Sequence, residues 1–152
     1  MNERGMGLRR ATVADASAVR DLTRAAYAKW VPVIGREPKP MTADYHAAVI
    51  NHLVDLLDVD GALVALIEMI PETDHLLVEN VAVSPNYLGR GYGRRLMDHA
   101  EKLAASLGFN ETRLYTNKLF AENVQLYRKL GYRTDREEAF KGGVVVHMSK
   151  LL

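Results

Sequence analysis

Between Leu76 and Leu107 the chain runs from an apolar stretch into a glycine-rich turn and on into an amphipathic helical pattern. No other feature constrains the fold as strongly. Leu76-Leu77-Val78-Glu79-Asn80-Val81-Ala82-Val83 reads as a strand. Gly89, Gly91 and Gly93 follow at alternate positions. Tyr92, Leu96, Ala100, Leu103 and Leu107 then lie on one stripe of a helix predicted over residues 90–107, which Gly108 ends. A strand feeding a helix in this way implies a strand–helix–strand crossover and an α/β sheet. The turn also has chemical meaning. A helix start carries unpaired backbone N–H groups and the positive end of the helix dipole. Glycines let an anion approach those groups closely, as phosphate sites require. Arg90, Arg94 and Arg95 add positive charge beside it.

The glycine spacing separates related motifs. A dinucleotide fingerprint needs Gly-x-Gly-x-x-Gly, and here Arg94 stands after three glycines at alternate positions. A P-loop needs Gly-Lys-Ser/Thr, which the chain lacks. The segment instead resembles the acyl-CoA-binding motif of the GNAT acetyltransferase superfamily, Gln/Arg-x-x-Gly-x-Gly/Ala after a Val-x-Pro strand end. Val83, Pro85, Gly91 and Gly93 match, and Leu88 departs from the usual Gln or Arg. The resemblance implies that the backbone of Leu88, Gly89, Arg90, Gly91, Tyr92, Gly93 and Arg94 holds the pyrophosphate of acetyl-CoA. It also implies that Val81, Ala82 and Val83 pair with the pantetheine amides like an added strand. Arg90 and Arg95 are expected near the 3′-phosphate.

A second segment, Asn123-Val124-Gln125-Leu126-Tyr127-Arg128-Lys129-Leu130-Gly131-Tyr132, puts Asn123 and Tyr127 on one helix face. It is similar to the second CoA-binding element of that family, which implies a pantetheine contact for Asn123 and a place beside the sulfur for Tyr127. The chemistry agrees. Attack on a thioester expels a thiolate, and a phenol can donate a hydrogen bond or a proton to it. The reaction also needs a neutral amine. Glu79, an acid in an apolar strand, is the candidate base, because desolvation raises a carboxyl pKa. Glu68 is a lesser candidate. By the same resemblance the acceptor side comes from the first helices and their loop: Tyr27, Trp30, Arg36, Glu37, Tyr45 and His46, with Phe140 opposite. Aromatics beside acids would suit a cationic amine.

The rest of the chain fits one domain over residues 1–152. Strands are predicted at 8–10, 53–57, 62–70, 76–83, 112–116, 132–135 and 144–150. Helices are predicted at 13–29, 42–51, 90–107 and 120–130, with a rigid loop between Pro32 and Pro40. The order is β-α-α-β-β-β-α-β-α-β-β: α/β, a mixed central sheet flanked by helices, as in the GNAT fold. A formal net charge of +1 gives no reason to expect a nucleic-acid partner. No apolar run approaches a membrane span, and Met1-Asn2-Glu3-Arg4-Gly5 leads into no signal core. The absence of cysteine excludes disulfides and a cysteine acyl-enzyme, and is compatible with the expected cytoplasmic location. The five histidines show no ligand spacing, so no metal is expected. The last strands leave room for a homodimer.

These residues carry two readings. One is an N-acetyltransferase that passes acetyl from acetyl-CoA directly to a primary amine in a ternary complex. The other is a non-catalytic acyl-CoA-binding or sensory domain on the same fold.

Overall fold

The computed structural model describes residues 5–152. Residues 1–4, in the stretch where the sequence predicts no signal core, lie outside the described residues. Seven strands form one sheet: β1 (Met6–Arg10), β2 (Leu53–Val59), β3 (Ala62–Pro71), β4 (Leu76–Val83), β5 (Glu111–Asn117), β6 (Arg133–Phe140) and β7 (Gly143–Leu151). Their order across the sheet is β1-β2-β3-β4-β5-β7-β6. All neighbours are antiparallel except β4 and β5. Between those two the chain crosses over through α5 (Tyr92–Ser106), as parallel pairing requires.

Helices α1 (Ala16–Tyr27) and α4 (Tyr45–Asn51) cover one face. Val19, Leu22, Tyr45 and Ala48 pack there on Val54, Leu56, Leu66 and Ala82. On the other face Leu96, Met97, Ala100 and Ala104 of α5 pack on Ile67, Met69, Val78 and Leu114. Helix α6 (Ala121–Lys129) extends this layer toward β7. The predicted rigid loop holds two one-turn helices, α2 (Val31–Ile34) and α3 (Lys39–Thr42). Each has proline in its first turn, where a missing N–H costs nothing.

Two irregularities in β4 create the site. Its parallel pairing with β5 covers only Leu76↔Thr112, Leu77↔Arg113 and Val78↔Leu114. Beyond Val78 the strands separate. At that point the β3–β4 register shifts: Met69 pairs with Val78 and Glu68 with Asn80, leaving Glu79 as an extra, unpaired residue. A bulge bends its strand and raises the local twist, and here it turns β4 away from β5. It also exchanges the faces. Leu76 and Val78 point into the α5 core, whereas Ala82 points into the α1/α4 core.

Candidate active site

The gap between β4 and β5 opens into two cavities. One is a groove lined by Val81, Val83, the Gly89–Arg94 turn, Asn123 and Tyr127. The other is a cleft lined by Arg36, Lys39, Glu79, Tyr115, Phe120 and Phe140. Tyr27 lines both. Trp30 of the groove stacks on Phe120 of the cleft, with ring centroids 4.5 Å apart and planes 21° apart. That stack ties the end of α1 to the start of α6 across the gap.

The groove is built to take an anion at one end. Gly91 caps α5 at φ 81°, and Gly89 has φ 76°. Both are left-handed conformations that a side chain disfavours. No side chain caps this helix. The first bond into the helix runs from Arg95 N–H to Gly91 O at 3.0 Å, so the N–H groups of Tyr92, Gly93 and Arg94 have no acceptor within the helix. A Cβ on Gly91 would meet nothing within 4 Å, so that side is open. Leu88 and Arg94 line the groove, while Arg90 lies over the Tyr87 ring at 5.0 Å.

Along β4 the ladder to β3 alternates. Ser84 N–H bonds Val64 O at 2.8 Å, and Ala82 shares that orientation. Val81 and Val83 therefore turn their backbone groups toward the gap. The Tyr27 hydroxyl donates to Val81 O at 3.3 Å, which confirms the direction. Ala82, expected with its neighbours at the cofactor, has its side chain buried in the α1/α4 core and its backbone facing β3. Val83 and the Val81 N–H therefore face the gap, where an extended chain could pair with them, while Val81 O already accepts from Tyr27. Asn123 and Tyr127 share the groove wall, as their four-residue spacing implies. Tyr127 packs edge-on against Tyr132, with centroids 6.0 Å apart. Burial pushes its phenol up to about 12.

In the cleft, Glu79 is mostly buried, with 17% of its side chain exposed. It is not a lone acid in an apolar strand. The Tyr115 hydroxyl donates to its carboxylate. Lys39 Nζ stands 3.5 Å from the same oxygen and donates to the Tyr115 hydroxyl at 3.0 Å. Burial and the bond to Glu79 push the Tyr115 phenol up to about 12. The bond to Tyr115 and the nearby Glu79 hold the Lys39 ammonium above its ordinary value. Neither Tyr115 nor Lys39 was among the expected site residues. The signal for Tyr115 was the register: continuing Val78↔Leu114 by one residue sets Glu79 opposite Tyr115.

Other predicted residues divide. Arg36 lines the cleft, with its guanidinium 5.9 Å from the Phe140 ring. Glu37 bonds Arg24 at 2.7 Å instead. Tyr45 is 3% exposed, donates to Pro40 O at 2.7 Å, and lines a neighbouring pocket rather than the cleft. His46 is exposed on α4. Glu68 is 5% exposed and pairs with His52 Nδ1 at 2.6 Å, in a neighbouring pocket that Glu79 also lines. Burial raises its carboxyl, and His52 opposes that. Among the described residues no group of three His, Asp or Glu side chains converges as metal ligands, and no helix is long and apolar enough to cross a membrane.

Comparison with known proteins agrees with this fold. The chain superposes on the PaiA N-acetyltransferase of Thermoplasma acidophilum, solved in complex with coenzyme A, with a TM-score of 0.83. That match covers 97% of this chain and 99% of that one at 17% identity, so it speaks to the fold. A GCN5-related N-acetyltransferase structure from Rhodopseudomonas palustris matches with a TM-score of 0.80, over 96% of this chain and 95% of the other, at 22% identity. In sequence, 68 residues (45% of the chain) are 37% identical to the N-alpha-acetyltransferase 80 of Mus musculus, and they span 20% of that protein. The acetyltransferase (GNAT) family profile matches residues 17–132. The groove, the glycine turn and the crossover thus sit in a chain that belongs to the GNAT family of acetyltransferases.

Proposed function

We propose that the protein is an N-acetyltransferase that moves the acetyl group of acetyl-CoA to a primary amine by direct attack. The observation that carries this reading is the pair of cavities meeting at Tyr27, one lined by free helix-start amides and the other by an acid and aromatic rings. The coenzyme supplies the activated acetyl thioester. The amides of Tyr92, Gly93 and Arg94 receive its pyrophosphate, and Val81 and Val83 receive its amide-bearing arm. Asn123 fixes that arm from α6. The amine enters from the cleft, where Glu79 takes its proton directly or through water. As nitrogen bonds to the carbonyl carbon and the C–S bond breaks, the Tyr127 hydroxyl donates to the departing sulfur.

Release of free CoA thiol, followed with a chromogenic disulfide over a panel of amines, tests the reading. Amine-dependent release is expected. Acetyl-CoA binding by calorimetry with no release for any amine would favour the binding-domain alternative.

A further inference from the structure

Within the proposed transfer reaction, we infer that the acceptor is a small primary amine carrying a carboxylate a few bonds from its nitrogen, on an apolar body. The inference rests on the acetyltransferase reading and adds the class of substrate. Its basis is the charge of the cleft. Among the described residues three formally charged side chains line it: Arg36, Lys39 and Glu79. Two cations face one carboxylate, so the cleft holds an excess of positive charge. Glu37, the other acid expected there, is bonded to Arg24.

A simple alkylamine arrives as an ammonium, since such groups titrate near 10. It would meet repulsion from Arg36 and would have to compete with Lys39 for Glu79. A carboxylate on the same molecule changes the balance. The ammonium takes the place of Lys39 at Glu79, and the displaced Lys39 and Arg36 receive the carboxylate.

Arg36 is poised for that contact. It is half-buried with its guanidinium beside Phe140, and among the described residues its one hydrogen bond is a long one, 3.4 Å to Glu37 O. Among the described residues no carboxylate pairs with it. A guanidinium suits a planar carboxylate because its N–H groups form a fork that bonds both oxygens. Apart from Thr116 and Asn117, the rest of the wall is largely apolar, with Ile34, Pro38, Phe120 and Val145. That wall selects an acceptor with an apolar side chain.

The test uses the whole chain, acetyl-CoA and three matched acceptors: an apolar amino acid, its α-carboxamide, and a neutral-capped tetrapeptide beginning with the same residue. The kcat/KM is expected to be about tenfold or more higher for the free acid than for the carboxamide, the size of one charge-assisted hydrogen bond. In Arg36→Gln the acid-to-amide ratio should collapse toward one, and Arg36→Lys should restore part of it. Because the ratio is taken within one variant, partial misfolding does not affect it. Equal or better use of the carboxamide or the tetrapeptide by the native chain overturns the inference and leaves the transferase reading intact. So does an unchanged ratio in Arg36→Gln. No release with any amine overturns both.

Discussion

Tyr127 lines the groove and Glu79 the cleft, and the proposed reaction gives them different work. A buried phenol near 12 stays protonated at any working pH. A free thiol titrates near 8.5, so full transfer of the phenolic proton to a thiolate would be uphill by about 5 kcal/mol. In the proposed reaction the hydroxyl therefore acts by hydrogen-bonding the sulfur as charge develops on it. Tyr127→Phe keeps the edge contact with Tyr132 and deletes that bond. Turnover should fall about 10²-fold with acetyl-CoA affinity nearly unchanged, and the pH–rate profile should keep its shape. Single-turnover rates with a confirmed acceptor, alongside calorimetry, check this. Full activity would return Tyr127 to a packing role. Glu79 is the proton acceptor in the proposed cycle. In Glu79→Gln the amide oxygen still accepts from Tyr115, but the proton acceptor is gone. We expect turnover about 10²-fold lower and a flattened acidic limb. An unaltered limb in kcat against pH would move the proton to Glu68 or to bulk water.

At the scale of elements, the sequence carried β4, α5 and their turn almost to the residue, because alternation, helical periodicity and glycine each have one dominant local cause. It carried β6 poorly. All eight residues from Arg133 to Phe140 are exposed, so no apolar face marks the strand, and the reading stopped at 135. The bulge at Glu79 was equally hidden. Nothing in Leu76–Val83 breaks the pattern, since the extra residue is defined only against β3. That is why Glu79 read as a desolvated acid and Lys39 and Tyr115 were missed as its partners. Tyr45 shows the opposite limit: an aromatic in a predicted helix looks the same whether it lines a cleft or, as here, packs in a core and borders the neighbouring pocket. The glycine turn makes a direct prediction. Gly91→Val finds room on the protein side, but at φ 81° a branched residue costs about 1–2 kcal/mol and its methyls occupy the anion's approach. CoA affinity should drop while circular dichroism and cooperative unfolding persist. Unchanged affinity by calorimetry in the folded variant would remove the turn from the binding site.

Across the whole molecule, the half of the sheet remote from the gap is fastened by one buried acid. Asp55 of β2 has 6% of its side chain exposed, receives Arg10 Nε of β1 at 2.5 Å, and pairs with His99 Nε2 of α5 at 2.7 Å. It thereby joins two strands to the helix whose start forms the proposed anion site. Burial alone would push its carboxyl up, but the bonds from His99 and Arg10 outweigh that and hold it below the ordinary range. The sign follows from linkage. The unfolded chain takes up this proton near about 3.9, before the folded one does. The stabilisation is therefore complete above the ordinary aspartate range and is lost as pH falls through it toward the lower, folded value. Asp55→Asn should cost about 2 kcal/mol at neutral pH, less than a fully buried pair because Arg10 is half exposed and regains water. Urea unfolding of both proteins at about pH 7 and about pH 3 reads the effect, with the gap narrowing in acid. A gap of equal size at both values would mean that Asp55 contributes through shape and neutral hydrogen bonding. Its charge would then have no part in holding α5 to the sheet.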